Sequence, residues 1–268
     1  MPYFESNQCS LYYTARGIGT PVVLISGLAA NHRSWGFQLV ELKKYFKVIA
    51  LDNRGIGKSE RDLEGLIIED MAADVGELLS ILNVEQVHLI GSSMGGMIAL
   101  EYAAKNPEKV RSLVLSSVPI LENLVFLEIF AGKLKLALAE GDPKNLFQTL
   151  ASMQFSSDFL NDKRYEILVG LFERDPPAYH QKTISLQINA IKEWRKSKNW
   201  AVGCTCPCMA VFGSEDKLVP VTEAMDLISQ TFPHAIKKVI QGAGHAAHIE
   251  KPKEFNKIVC DFLQSQTC

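Results

Sequence analysis

The chain is predicted to be an α/β protein with a mostly parallel, twisted sheet flanked by helices. Two observations predict this. Short apolar runs bounded by turn residues recur along the 268 residues, and amphipathic segments separate them. Near-continuous apolar strands alternating with helices mark a parallel sheet covered on both faces. In addition, one such run, Val87–Ile90, meets Gly91-Ser92-Ser93-Met94-Gly95, and a helical pattern follows at once. That is a strand, a sharp turn and a helix around Gly-x-Ser-x-Gly.

The elements follow in order. Residues 3–15 suit one or two leading antiparallel strands. Buried strands are expected at Pro21–Ser26, Lys47–Asp52, Val87–Gly91, Val110–Ser116, Cys208–Gly213 and Ile236–Gln241. The strand–helix rhythm breaks between about Val118 and Asn199. That stretch has helical patterns over 121–138, 143–153, 162–173 and 179–198, with Pro176-Pro177 separating two of them. The expected organisation is a core of residues 1–118 and 200–268, with residues 119–199 inserted as a helical cap over the C-terminal edge of the sheet.

Bulk properties narrow the function. The length suits one domain with an insertion. Hydrophobic residues make up 47 % of the chain, enough for a sizeable core, and the formal net charge is −2. There is no global basic field for nucleic acid. No apolar stretch reaches the roughly 18 residues of a membrane span. The start lacks the basic-then-apolar pattern of a secretory signal, so a cytoplasmic protein is expected. Six cysteines stand at 9, 204, 206, 208, 260 and 268, three of them in Cys-Thr-Cys-Pro-Cys. No second Cys/His cluster stands at ligand spacing, so no metal is expected. These cysteines read as small apolar residues entering a buried strand, and free thiols fit a reducing compartment. Lys192, Arg195, Lys196 and Lys198 gather against Glu193 alone. They read as a solvated helix face, or as a docking patch for an acidic carrier protein.

The Gly-x-Ser-x-Gly turn makes Ser93 the candidate nucleophile. Ser92 lacks the flanking glycines. A turn of this kind exposes the middle hydroxyl, and the Met94 N–H at the helix start is placed to stabilise an oxyanion. A serine needs a base. His245, in Gly242-Ala-Gly-His-Ala-Ala-His248, follows the last strand in a tight loop, with His248 as its rival. His88 lies inside a strand and reads as a core residue. The imidazole needs an acid to hold its tautomer. Asp216, in Gly213-Ser-Glu-Asp-Lys-Leu-Val-Pro220, follows a strand and gives the chain order Ser93, Asp216, His245. Glu122 is the other acid position, and Glu215 is expected to point elsewhere. A second oxyanion donor is expected from Ser26-Gly27-Leu28, as the Leu28 N–H.

With these residues placed, the chain closely resembles the α/β-hydrolase family from about Tyr12 to its C-terminus. The elbow, Asp52-Asn-Arg-Gly-Ile-Gly-Lys-Ser59, Gly213–Pro220 and Gly244-His245 with Glu250-Lys-Pro252 stand in the family's order. Many relatives have His-Gly where this chain has Ser26-Gly27, so something else must hold the oxyanion loop. Members with an aspartate at the elbow, such as haloalkane dehalogenases and epoxide hydrolases, are set aside by Ser93. The resemblance implies a cofactor-free carboxylic ester hydrolase acting on small or medium acyl groups through an acyl-enzyme. It leaves open an enol-lactonase, a C–C bond hydrolase, a carrier-protein methyl ester esterase and a small-molecule receptor on the same fold.

Overall fold

The computed structural model describes residues 2–60, 63–120, 125–174, 181–196 and 203–266. Two antiparallel strands lead, β1 (Tyr3–Ser6) and β2 (Cys9–Arg16), followed by β3 (Pro21–Ile25), α1 (Gly36–Leu42) and β4 (Lys47–Leu51). Then come α2 (Ile68–Ile81), β5 (Val87–Ser92), α3 (Met94–Lys105) and β6 (Val110–Ser116). Helices α4 (Val125–Glu140), α5 (Pro143–Gln154), α6 (Ser157–Leu160), α7 (Lys163–Arg174) and α8 (Gln181–Lys196) follow. The chain closes with β7 (Cys208–Gly213), α9 (Val221–Thr231), β8 (Ile236–Ile240), α10 (Ala247–Glu250) and α11 (Pro252–Ser265).

The strands form one eight-stranded sheet in the order β1-β2-β4-β3-β5-β6-β7-β8. β1 and β2 are antiparallel to their neighbours, and β4 through β8 pair in parallel. Alternate residues of each strand feed opposite faces. Val23, Ile25, Leu89 and Leu113 pack under α2, α3 and α9. Val22, Leu24, Ile90 and Val114 pack with Trp35 and Leu42 and with Phe255, Val259 and Leu263 of α11. Both faces of the central strands β3 to β7 are covered, which is why those strands read as mostly apolar runs.

The expected strands are all present, but β8, expected as buried, is an edge strand with Ile236 to Val239 exposed, which is why it accommodates Lys237 and Lys238. Among the described residues five helices lie between β6 and β7. Those helices share a core with the sheet: Phe130, Leu134, Ile184 and Trp194 join the cluster under α2 and α3. The Trp194 indole N–H donates to Glu101 Oε2 at 2.9 Å. Pro176-Pro177 and Glu122 lie outside the described residues. Among the described residues no helix is long and apolar enough to cross a membrane.

The sheet order places the site. β3 has β4 on one side and β5 on the other, so the loops leaving β3 and β5 lie side by side at their C-terminal ends. Ile25 and Gly91 are register partners at that edge. Such a switch point leaves a crevice where open α/β sheets take their ligands.

Candidate active site

Ser93 is the hinge between β5 and α3, with φ 53° and ψ −121°. A non-glycine residue at positive φ is strained, and such strain persists only where neighbours over-determine it. They do so here. The Ser93 N–H donates to Ser116 O on β6 at 2.8 Å, and Gly96 N–H donates to Ser93 O at 2.9 Å. A Cβ on Gly95 would overlap the Ile25 carbonyl, and one on Gly91 would overlap the Gly95 carbonyl. The flanking glycines are thus demanded by close backbone approach.

His245 lies in the loop after β8, in a nearly closed environment. Its Nδ1 sits 2.9 and 3.0 Å from the two Asp216 oxygens. Asp216 is held in turn by the N–H groups of Leu218 and Val219, both donating to Oδ1 at 2.9 Å. The loops carrying the pair are tied together through Glu215 N–H to Ala243 O at 2.8 Å. The Glu215 side chain is exposed. Ser93 and His245 line one cavity with Gly27, Leu28, Phe130 and Ile191.

The rival histidine has a different setting. His248 is buried and stacks on Trp35, with ring centroids 4.5 Å apart. Burial, with His245 beside it, holds its pKa at about 3, so it is neutral at ordinary pH. It lines the same cavity, but among the described residues its Nδ1 has no hydrogen-bond partner. His88 is buried in β5 with Nδ1 2.8 Å from Ser112 Oγ.

The loop after β3 lies against the elbow: a Cβ on Gly27 would stand 3.1 Å from Ser93 Cβ. Among the described residues neither the Leu28 nor the Met94 N–H has a protein acceptor. The departure at Ser26 has a structural answer. Ser26 Oγ and Ser34 Oγ both donate to Asn31 O, at 3.1 and 2.9 Å. Asn53 Nδ2 donates to Ser26 O at 2.9 Å. A fourth support comes from far along the chain: Gln187 Oε1 on α8 accepts the Ala29 N–H at 3.0 Å.

Glu250 is a second support that sequence reasoning missed as such. Its buried carboxyl accepts Gly244 N–H at 3.0 Å and Ser156 N–H at 3.1 Å, and also takes the Ser156 hydroxyl. Its place in the Gly244–Pro252 motif was the only signal for it. Elsewhere, Arg54 pairs with Asp74 at 2.6 Å, pinning the Asp52–Ser59 loop to α2. In the basic run, Lys192 pairs with Glu128 at 2.6 Å, and Arg195 Nη1 donates to Pro119 O at 3.2 Å. Two of its four cations are therefore already engaged, and Lys198 lies outside the described residues.

Comparison with known proteins agrees with this architecture. Residues 20–252 match the family model described as alpha/beta hydrolase fold. The relative named carbamate hydrolase RutD from Azorhizobium caulinodans is 27 % identical, over 98 % of both chains. A 2-hydroxy-6-oxononadienedioate/2-hydroxy-6-oxononatrienedioate hydrolase from Comamonas testosteroni is 26 % identical, over 92 % of this chain and 88 % of its own. Among solved structures, one from a study of Nitrososphaera gargenis carboxylesterases superposes with a TM-score of 0.84 at 26 % identity, covering 99 % of each chain. The match of the family model across most of the chain, on this sheet and this elbow, shows that the chain belongs to the α/β-hydrolase fold family.

Proposed function

We propose that this chain is a serine hydrolase that cleaves carboxylic esters through an acyl-enzyme on Ser93. The observation that carries this reading is the shared cavity: Ser93, on a strained turn, lines it together with a His245 imidazole whose other nitrogen is held by Asp216. A carboxylate accepts only, so Nδ1 carries the proton and donates to Asp216. Nε2 is left as the base. It takes the Ser93 proton as Oγ attacks the carbonyl carbon, and Asp216 stabilises the imidazolium that forms. The Leu28 and Met94 N–H groups, at the loop beside Ser93 and at the N-terminus of α3, receive the oxyanion. The imidazolium then protonates the leaving alcohol. Water repeats the path to release the acid. The chemistry calls for no metal or organic cofactor.

Helices α4–α8 act as a cap over this cavity, with Leu127, Phe130, Gln154 and Ile191 supplied from them. The cavity volume is about 90 Å³. That is below the roughly 150 Å³ that holds a benzene molecule in an apolar protein cavity. Short acyl groups are therefore favoured over long ones. A second reading, carbamate hydrolysis, runs on the same attack and the same oxyanion, and is favoured by the full-length similarity to the RutD relative.

The test is turnover of p-nitrophenyl esters from acetate to dodecanoate, with a p-nitrophenyl carbamate alongside, by wild type and Ser93→Ala. Fastest turnover at the short end, absent in the variant, is expected. Preference for the carbamate would favour the second reading. No turnover of any of them by folded protein would overturn both.

A further inference from the structure

The oxyanion turn is held from the wrong side of the chain. Ala30 N–H donates to Gly27 O at 3.2 Å, closing a turn over residues 27–30. In a trans peptide the Gly27 C=O and Leu28 N–H point in opposite directions. Pinning that carbonyl inside the turn aims the Leu28 N–H outward, and Leu28 lines the cavity. The third residue of the turn, Ala29, has φ +60°. A positive φ at that position is the mark of a type II turn, which ordinarily takes glycine. An alanine there is strained, and a flip of the Leu28–Ala29 peptide would relax it. The group that opposes this flip is the Ala29 N–H acceptor, Gln187 Oε1, 158 residues away on α8. Gln187 is completely buried, and its Nε2 has no hydrogen-bond partner among the described residues. Ile191, one turn further along α8, lines the cavity.

We propose that Gln187 is a positioning residue: by accepting the Ala29 N–H it anchors to α8 the turn that carries the Leu28 N–H. The oxyanion hole is then complete only while α8 is seated on the core. This rests on the serine hydrolase reading above, and the test separates the two. The rate at which a fluorophosphonate labels Ser93 is measured, since phosphonylation builds the same oxyanion without needing the natural substrate. Gln187→Met keeps the volume and removes the acceptor, and is expected to slow labelling at least tenfold. In an ester assay the loss should fall on kcat rather than KM. Should Gln187→Met fail to fold, Gln187→Asn, one methylene shorter, takes its place with the same expected loss. Wild-type labelling at the native rate in the Gln187 variant overturns the proposal alone. A loss that falls on KM with kcat unchanged also overturns it, since the oxyanion forms only in the chemical step. No labelling of the wild type overturns the serine reading and this proposal together.

A separate observation concerns the cysteine run. Cys204 and Cys206 are both partly exposed, and their sulfurs lie 3.7 Å apart. They stand before β7, at the opposite end of the strand from Asp216. The bond between them holds Cys204 below the ordinary thiol range and Cys206 above it. Cys208, inside the strand, is buried, and burial raises its pKa. We infer that Cys204 and Cys206 form an oxidisable dithiol that a peroxide converts to a disulfide. The Cys204 thiolate attacks one peroxide oxygen, the O–O bond breaks, and hydroxide leaves to become water. The Cys206 sulfur then displaces the hydroxyl of the Cys204 sulfenic acid, forming the S–S bond and a second water. Two thiols and hydrogen peroxide thus give one disulfide and two waters. Native protein is treated with hydrogen peroxide, free thiols are alkylated, and peptides are mapped. A 204–206 disulfide is expected, with Cys206→Ser leaving a Cys204 sulfenic acid that dimedone traps. Full alkylation of both residues, or a disulfide that uses Cys208 instead, overturns the inference.

Discussion

The buried carboxyl of Glu250 accepts the N–H of Gly244, the residue just before His245, at 3.0 Å. The same carboxyl takes both the N–H and the hydroxyl of Ser156, between α5 and α6. Ala246 N–H, on the other side of His245, donates to Gln154 O at 3.1 Å. The histidine loop is therefore fastened to the helical segment on both sides of the imidazole. Glu250→Ala would leave buried N–H groups unpaired, at a cost of about 3 kcal/mol or more. The expected outcome is a lower melting temperature and a kcat down at least tenfold, with Glu250→Gln intermediate. Unchanged melting and turnover in Glu250→Ala would show that the loop holds itself.

Asp216 is expected to carry the orienting role and Glu122 not. Asp216→Asn should reduce kcat by on the order of 10⁴, as loss of the acid does in a well-studied triad. Glu122→Gln should remain near wild type. Steady-state kinetics on one short ester compares them, and a larger loss in Glu122→Gln would reverse the assignment.

His88 gives a pH dependence of stability with a definite sign. Unfolded, it titrates near 6.5; folded, burial with Arg111 nearby holds it at about 4. The unfolded chain thus binds the proton more readily. The contribution is present above pH 6.5 and is lost as pH falls through about 4, amounting to about 3 kcal/mol at most. Urea midpoints at pH 7 and pH 4 should fall further for wild type than for His88→Asn. Equal falls in the two proteins would contradict this.

Gly95 is expected to tolerate no side chain. Its added Cβ would meet the backbone of Ile25 and Ser26, which cannot swing aside. Gly95→Ala should destabilise by about 3 kcal/mol or more. Thermal melting measures it, and a native melting curve would mean that β3 and α3 can part at this point.

The elbow was legible in the sequence because its requirements are local. Strand, glycines, serine and helix lie within twenty residues, and each glycine is required by backbone contact inside that unit or with the adjacent strand. Asp216 was legible because it follows the plain apolar run of β7, and His245 because it stands in the Gly242-Ala-Gly-His loop after the last strand. His248 stood as the rival base, and the sequence could not place it, since Trp35, just before α1, meets its ring only once that segment packs against α10. Gln187 and the Ser156–Glu250 bonds were invisible for a related reason. They join residues 158 and 94 positions apart, and a glutamine on an amphipathic helix carries no mark of which loop it will meet. Ser26 could be seen as a departure, but its hydroxyl network with Ser34 and Asn31 appears only once the loop is closed.

The central claim is a covalent intermediate on Ser93, and trapping it is the most direct test. Protein is mixed with p-nitrophenyl acetate, quenched in acid within the first turnover, digested and mapped by mass spectrometry. The account predicts an acetyl group on Ser93, absent from Ser93→Ala and accumulating further in a variant whose deacylation is slowed. Ester turnover with no acyl adduct, or with the adduct on Ser92 or His245, would contradict it.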